Sequence, residues 1–228
     1  MLLEENEAET AHAISKFLLD VFYHWFGLNE SLFLSIYRIQ GESYSLWMKA
    51  VTQLGNYHNF PYYLGAVIAF IALSVAIKTI RGEPIQKRHM ALWVSVLAIL
   101  VAGHIINGVT IIVIKNYSEF PRPYVELSSE QVEGLDRRDE PDEQFRSFPS
   151  GHAAFITMIL MSLWPVLSSG IRLFALCLAL TIYWSRMALG MHFPADIVGG
   201  ILITVLVMRL VKSVVFSIVQ KIFKVQLK

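Results

Sequence analysis

Three long stretches without a charged side chain constrain this 228-residue chain more than any other feature. No Asp, Glu, Lys or Arg occurs in residues 50–77, 89–114 or 147–171. Because an α-helix needs roughly 20 apolar residues to cross the hydrocarbon core of a bilayer, each stretch can span a membrane. Only 16% of the residues are charged, against about 25% in soluble domains. The sequence therefore predicts an integral membrane protein.

The composition also excludes two other classes of protein. Disordered chains combine low hydrophobicity with high charge, whereas 55% of this chain is hydrophobic. The net charge is +1 and no basic cluster occurs, so a nucleic-acid partner is not expected. No feature indicates an obligate protein partner. The acidic N-terminal sequence MLLEENEAET does not resemble a signal peptide.

The apolar pattern predicts an all-α fold, a polytopic membrane helix bundle that forms one domain over residues 1–228. Residues 1–59 are expected to be amphipathic or interfacial. The spans are predicted at about 60–80, 91–114, 151–169, 172–190 and 196–216.

The segment 12–28 allows two interpretations. Its polar residues recur at intervals of four: His12, Lys16, Asp20 and His24. Residues at this spacing line one face of a helix. The segment is therefore either an interfacial amphipathic helix or a short first span whose polar face is turned inward. Residues 30–54 mix apolar and charged side chains and are also predicted to be interfacial.

Lysine and arginine in the loops predict the orientation. Both the connection at 78–88 and the tail at 209–228 are rich in these residues, which is typical of cytoplasmic segments. The C-terminus is then cytoplasmic, and residues 115–150 and 191–195 lie on the opposite side of the membrane.

The extracytoplasmic loop 115–150 holds nine of the eighteen acidic residues. Its carboxylates lack the spacing of a calcium-binding loop. A solvated connector is the favoured interpretation of the acidic part, 126–143. A lid over a substrate is the alternative.

The polar residues that border the spans all fall on this extracytoplasmic face. They are Lys115, Arg122, Ser150, Gly151, His152, Arg186, His192 and Asp196. A single arginine at a helix end often anchors lipid headgroups, and a single buried histidine often only packs. Several ionisable groups at one depth of a membrane instead indicate a functional site.

The residue types in this group suit phosphate chemistry. Lys115, Arg122 and Arg186 would form a pocket for a multiply charged anion. Ser150 and Gly151 precede a predicted helix, whose first N–H groups also favour an anion.

Two histidines in the same group could carry a phosphoryl transfer. His192 and Asp196 are four residues apart, so the carboxylate could orient the imidazole if that turn is helical. The imidazole of His192 would then be a candidate nucleophile. His152 could protonate a leaving oxygen.

These residues resemble the three-part signature of the type 2 phosphatidic acid phosphatase family. The match covers residues 115–196. Its parts are Lys115 followed after six residues by Arg122-Pro123, then Pro149-Ser150-Gly151-His152, then Ser185-Arg186 followed by His192 and Asp196.

The resemblance implies a membrane-embedded, all-helical lipid phosphatase, normally with six spans. In this family the residue corresponding to His192 forms a phosphohistidine, the residue at Asp196 orients it, and the histidine at His152 protonates the leaving group. The resemblance assigns phosphate binding to Lys115, Arg122, Ser150, Gly151 and Arg186. It implies no metal and no cofactor.

The resemblance also implies a substrate class and a location. Bacterial members act on undecaprenyl diphosphate, phosphatidylglycerol phosphate, phosphatidic acid or lipid A. Undecaprenyl diphosphate or a glycerophospholipid phosphate is favoured here. The expected location is the bacterial inner membrane, with the site facing the periplasm or the exterior. A count of six spans requires segment 12–28 to cross the bilayer.

His104 and Asn107 step along the same face of the second predicted span as Lys115. An interhelical hydrogen bond is the favoured interpretation. Alternatively, the two residues support Lys115 or contact a lipid linkage.

Two other functions stay open on the same residues. A lipid phosphotransferase would pass the phosphate to a second lipid instead of water. A non-enzymatic anion transporter would use the cations but would not need the spacing of His192 and Asp196, and it would usually show two related halves.

Overall fold

The structure is a computed structural model, and it describes residues 16, 17, 19–39, 41–132 and 141–226. Every regular element in these ranges is a helix, as predicted. The helices of ten or more residues among them are α1 (Leu28–Tyr37), α2 (Glu42–Gln53), α3 (Phe60–Ile80), α4 (Lys87–Ser118), α5 (Gly151–Leu163), α6 (Ser169–Ala188) and α7 (Pro194–Phe223). The predictions for residues 1–15, 18, 40, 133–140, 227 and 228 lie outside the described residues.

Within the described part of the chain, four helical segments are long and apolar enough to cross a bilayer. They are Tyr57–Ile80, Lys87–Glu126, Ser169–Ala188 and Pro194–Phe223. Each contains or overlaps one of the predicted spans, so the polytopic helix bundle is confirmed.

The remaining predicted span, 151–169, is shorter in the structure. α5 has 13 residues and extends about 20 Å at 1.5 Å per residue, less than the roughly 30 Å of the hydrocarbon core. Pro165 has no N–H, so it cannot continue the helical hydrogen bonds at Met161. Lys212 Nζ donates to Met161 O at 3.4 Å instead. Arg172 Nη2 donates to Trp164 O at 3.1 Å.

Helices α4, α5 and α7 form the core of the bundle. Their buried apolar side chains include Leu100 of α4, Met158 of α5 and Met208 of α7. Gly103 permits the close approach of α4 to α7, because a Cβ at this position would lie 2.8 Å from the sulfur of Met208. α3 packs on the outside of this core through the partly buried Phe60, Tyr63, Leu64 and Val67, and none of its residues is fully buried.

The pairing of α4 with α7 aligns their polar ends. The helices run antiparallel and touch at Gly103 and Met208. Lys115 lies twelve residues after Gly103, and Asp196 lies twelve residues before Met208. Both side chains therefore lie about 18 Å along the bundle from that contact, on the same side of it.

The N-terminal region packs against this polar end of the bundle. Tyr23 and Phe33 lie in one cluster with Phe193 and Ala195 from the start of α7. Asn29 is buried in α1, and its Oδ1 accepts the Ala195 N–H at 2.8 Å. At 10 and 12 residues, α1 and α2 are too short to span a bilayer.

The described part of segment 12–28 is not one continuous helix. A helical turn covers Asp20–His24, and Trp25, Phe26 and Gly27 then have positive φ angles. These left-handed residues change the direction of the chain before α1 begins. They allow α1 to turn towards α6 and α7.

We expect Gly200→Ala to lower the stability of the bundle. A Cβ at Gly200 would lie 2.7 Å from Ser150 O, and the backbone at the start of α5 cannot yield as a flexible side chain could. Overpacking of this kind costs about 1–3 kcal/mol. Thermal unfolding in detergent should show a lower midpoint for Gly200→Ala. Gly108→Ala is the matched control, because a Cβ there meets nothing within 4 Å; an equal midpoint for the two variants would contradict the packing argument.

Candidate active site

His192 and Asp196 lie together at the start of α7. His192 precedes the helix and is 2% exposed, while Asp196 occupies its first turn and is fully buried. His192 Nδ1 is 3.4 Å from Asp196 Oδ2. The Phe193 N–H donates to the same carboxylate oxygen at 2.9 Å. The carboxylate therefore both caps the helix and faces the imidazole.

Two further hydroxyl groups donate to Asp196, and neither was identified from the sequence. Tyr23 donates its hydroxyl to Asp196 Oδ1 at 2.9 Å. Ser147 donates to Asp196 Oδ2, and its Oγ lies 3.5 Å from His192 Nδ1. Burial and the charge of Asp196 raise the pKa of the Tyr23 phenol, so it remains a proton donor.

The Ser150–His152 segment begins α5 beside these groups. Ser150 is the N-cap residue, and its side chain accepts the Ala153 N–H at 3.5 Å. The Ser150 N–H donates to Asp196 O at 3.0 Å, which ties this turn to α7. Gly55, after α2, packs against His152, since a Cβ at Gly55 would lie 3.2 Å from its ring.

The three cations surround the same region, and two of them are nearly buried. Arg122 is 6% exposed and Arg186 is 7% exposed. Arg122 donates from Nη2 to Glu143 Oε2 and from Nε to Glu143 O, each at 2.8 Å. Arg186 Nη1 donates to Thr52 Oγ1 of α2 at 2.9 Å. Lys115 Nζ donates to the carbonyl oxygen of Arg146.

Besides burial, the positive charges of Arg122, Arg186 and Lys115 lower the pKa of both His192 and His152. The side chains assigned from the sequence therefore share one electrostatic environment. Burial, followed by these cations, holds the pKa of His192 well below its usual value of 6.5. The Asp196 carboxylate opposes this shift, but burial and the cations outweigh it. The imidazole of His192 is therefore neutral at physiological pH.

Several partners of the site come from outside the signature. Sequence reasoning missed Tyr23, Thr52, Glu143 and Ser147. Tyr23 lies 173 positions from Asp196, and no local pattern marks it. Ser147 lies close enough to the Pro-Ser-Gly-His run for proximity to have suggested it.

His104 and Asn107 differ in their surroundings. The His104 ring stacks on Phe60 of α3 with centroids 3.7 Å apart, and its edge meets Phe155. Asn107 is buried on α4, and its Oδ1 has no hydrogen-bond partner. The contacts of His104 are those of a packing residue. A role for either residue at Lys115 stays a prediction.

Among the described residues, no group of three or more His, Cys, Asp or Glu side chains could hold a metal ion. The charge in this region comes instead from side-chain cations. The arrangement offers an oriented neutral imidazole, a second imidazole and a cationic pocket, and together they can bind and attack a phosphate group.

Two comparisons with known proteins identify the family and a similar fold. The sequence matches the model of the PAP2 superfamily over residues 91–220. The fold is similar to the crystal structure of Aquifex aeolicus LpxE, with a TM-score of 0.58, 21% identity, and coverage of 82% of this chain and 95% of that chain. At this identity the similarity supports the fold alone. No curated protein matches the sequence significantly. The family match confirms the resemblance drawn from the sequence.

We expect His192 to make stability depend on pH. Its pKa is lowered in the folded state. Below about pH 6.5 the His192 imidazole is therefore protonated in the unfolded chain but stays neutral in the folded protein. The free energy of unfolding then falls as the pH drops. His192→Gln should reduce the loss of thermal stability between about pH 7 and pH 5. The exposed His58→Gln is the control, and an equal loss in both variants would exclude His192 as the cause.

Proposed function

We propose that this chain, which belongs to the PAP2 superfamily, is an integral membrane phosphatase that releases a phosphate from a lipid phosphate or diphosphate. One observation carries the proposal. The buried His192 faces Asp196 through Nδ1, while three cations act on the same ring. An oriented imidazole in a cationic pocket suits phosphoryl transfer.

The first step forms a covalent intermediate. The Nδ1–H of His192 faces the Asp196 carboxylate, which leaves the Nε2 lone pair for attack on phosphorus. The Nε2–P bond forms as the bond between phosphorus and the leaving oxygen breaks. The Asp196 carboxylate supports the positive charge that develops on the imidazole. Burial and the three cations lower the pKa of His152 to about 3 when no substrate is bound. The negative charge of a bound phosphate opposes this shift, so His152 takes up a proton with the substrate and donates it to the leaving oxygen.

The second step returns the enzyme to its starting state. A water oxygen attacks phosphorus, the N–P bond breaks and inorganic phosphate leaves. His152, now neutral, takes the proton of the attacking water. Throughout both steps Lys115, Arg122 and Arg186 stabilise the charge on the phosphate oxygens. The N–H groups at Ser150 and Gly151 favour the same anion.

A membrane orientation and a lipid substrate belong to the same proposal. The basic segments 78–88 and 209–228 favour a cytoplasmic C-terminus. The site then faces the exterior or the periplasm of a bacterial inner membrane. It lies where the spanning helices α4 and α7 reach their polar ends, at the depth of lipid headgroups. Undecaprenyl diphosphate, phosphatidylglycerol phosphate, phosphatidic acid and lipid A are the candidate substrates.

His192→Ala should abolish turnover and leave substrate binding largely intact. Loss of the nucleophile removes the covalent step, so kcat should fall by at least about 10³-fold, while the cations still hold the anion. The measurement is inorganic phosphate release from the four candidate lipids in detergent with excess EDTA. His58→Ala is the matched control, because His58 is exposed.

Three results would contradict this assignment. Full activity of His192→Ala would exclude the nucleophile. Activity lost on addition of EDTA would exclude a mechanism that needs no metal. Labelled phosphate recovered in a second lipid, instead of as inorganic phosphate, would favour the phosphotransferase.

Tyr23 is proposed as a positioning residue that acts through Asp196. Its hydroxyl donates to Oδ1, the carboxylate oxygen on the side away from His192 Nδ1. Together with Ser147 and the Phe193 N–H, it fixes the carboxylate on both oxygens. A carboxylate held in this way keeps His192 in one tautomer and one orientation.

We expect Tyr23→Phe to lower kcat by about 10-fold, because a hydrogen bond to a charged group is lost. KM should change little, since Tyr23 bonds to Asp196 and not to any of the three cations. Steady-state kinetics measures both constants. Tyr62→Phe is the control, because its side chain is exposed. A rise in KM at unchanged kcat would place Tyr23 in substrate binding instead.

A further inference from the structure

Arg146 is a fourth cation beside the phosphate pocket and lies outside the family signature. Its backbone carbonyl oxygen accepts a hydrogen bond from the Lys115 ammonium group, so the two residues are in direct contact. The charge of Arg146 also acts on Lys115, as the charge of Arg122 does. Arg146 has no role in the two steps of the proposed reaction.

One carboxylate bridges Arg146 and Arg122. Glu143 Oε2 lies 2.8 Å from Arg122 Nη2, and Glu143 Oε1 lies 3.2 Å from Arg146 Nη1. Two guanidinium groups that share one carboxylate are also spaced to share the oxygens of a phosphate, because Arg recognises both anions through the same forked geometry. The Glu143 carboxylate therefore occupies an anion-binding position.

The Arg146 guanidinium is held in place by hydrogen bonds, but one of its N–H donors has no acceptor. Its Nη2 donates to Asn116 Oδ1 at 2.7 Å, which holds the plane of the group. Its Nε is buried and has no hydrogen-bond partner. A buried donor without an acceptor is costly, so a shift of the side chain that brings this N–H to an anion oxygen is favoured.

The Glu143 carboxylate can be displaced. Its side chain is 41% exposed and that of Arg146 is 31% exposed. Water screens ion pairs at such exposure, and their net contribution to stability is small. A phosphate with more than one negative charge competes well against a single carboxylate for the same two guanidinium groups.

We propose that Arg146 binds a second phosphoryl group of the substrate, and that Glu143 fills this position until a lipid diphosphate displaces it. This inference rests on the proposed function and narrows its substrate class to diphosphates. The phosphorus under attack lies between His192 and the three signature cations. The other phosphate, which carries the lipid, lies between Arg122 and Arg146. A monophosphate leaves the Arg146 position to Glu143.

Kinetics with matched substrates tests the inference. Geranylgeranyl monophosphate and geranylgeranyl diphosphate have the same chain and differ only in the second phosphate. Arg146→Gln should raise KM for the diphosphate about tenfold, because charge-assisted hydrogen bonds are lost. KM for the monophosphate should stay within about threefold. Arg88→Gln, at an exposed arginine on α4, is the control. Equal changes for both substrates, or no change for either, would overturn the inference.

A binding measurement separates this inference from the proposed function. Calorimetric titration with methylenediphosphonate and with methylphosphonate needs no turnover. Arg146→Gln should weaken binding of the diphosphonate about tenfold and leave binding of the monophosphonate within about threefold. Glu143→Gln should strengthen binding of the diphosphonate, because the competing charge is gone. Loss of both ligands to the same extent in Arg146→Gln would overturn the inference. Selective loss in a protein that releases no phosphate from any lipid would uphold the inference and exclude the phosphatase.

Discussion

The buried carboxylate of Asp196 is the interaction on which the polar end of this bundle depends. An ionised carboxylate without exposure is tolerated only when hydrogen bonds and charges compensate for its lost hydration. Two of its partners, Tyr23 and Ser147, come from distant parts of the chain. The Phe193 N–H and His192 come from the same turn as Asp196. The residues before α1, the segment before α5 and the start of α7 are thereby brought to one point. The same hydrogen bonds orient His192.

The spanning helices bring the cations to this point by their register. The close contact between Gly103 and Met208 sets how α4 and α7 pair. The equal sequence distances from that contact then place Lys115 and Asp196 at the same depth. α5 begins at the same depth, because the N–H of its N-cap residue Ser150 donates to the backbone oxygen of Asp196 in α7. Residues far apart in the sequence therefore form one site.

The sequence predicted what depends on local pattern. The uncharged stretches identified the helix bundle, and the signature identified the family and the candidate site residues. The length of α5 was overestimated, because the apolar composition continues past Pro165 while the helix does not. Tyr23 and Thr52 could not be found from the sequence. The contact of Tyr23 with Asp196 depends on how the turn before α1 folds back onto the bundle. The contact of Thr52 with Arg186 depends in the same way on α2. Glu143 was seen only as one of many acidic residues in a loop.

The apolar helices α3 and α5 differ in how strictly their surroundings limit the shape of each side chain. α3 has no buried residue, whereas every side chain of α5 from Ala153 to Ile159 is buried. In a bilayer the exposed side of α3 would face lipid, which adapts to any apolar shape, so selection on most of its positions acts on hydrophobicity alone. α5 is enclosed by protein, which does not adapt, so selection there acts on the size and branching of each side chain. Among descendants of this sequence, α3 should diverge fast by exchange of Leu, Ile, Val and Phe, while α5 changes slowly and together with its neighbours.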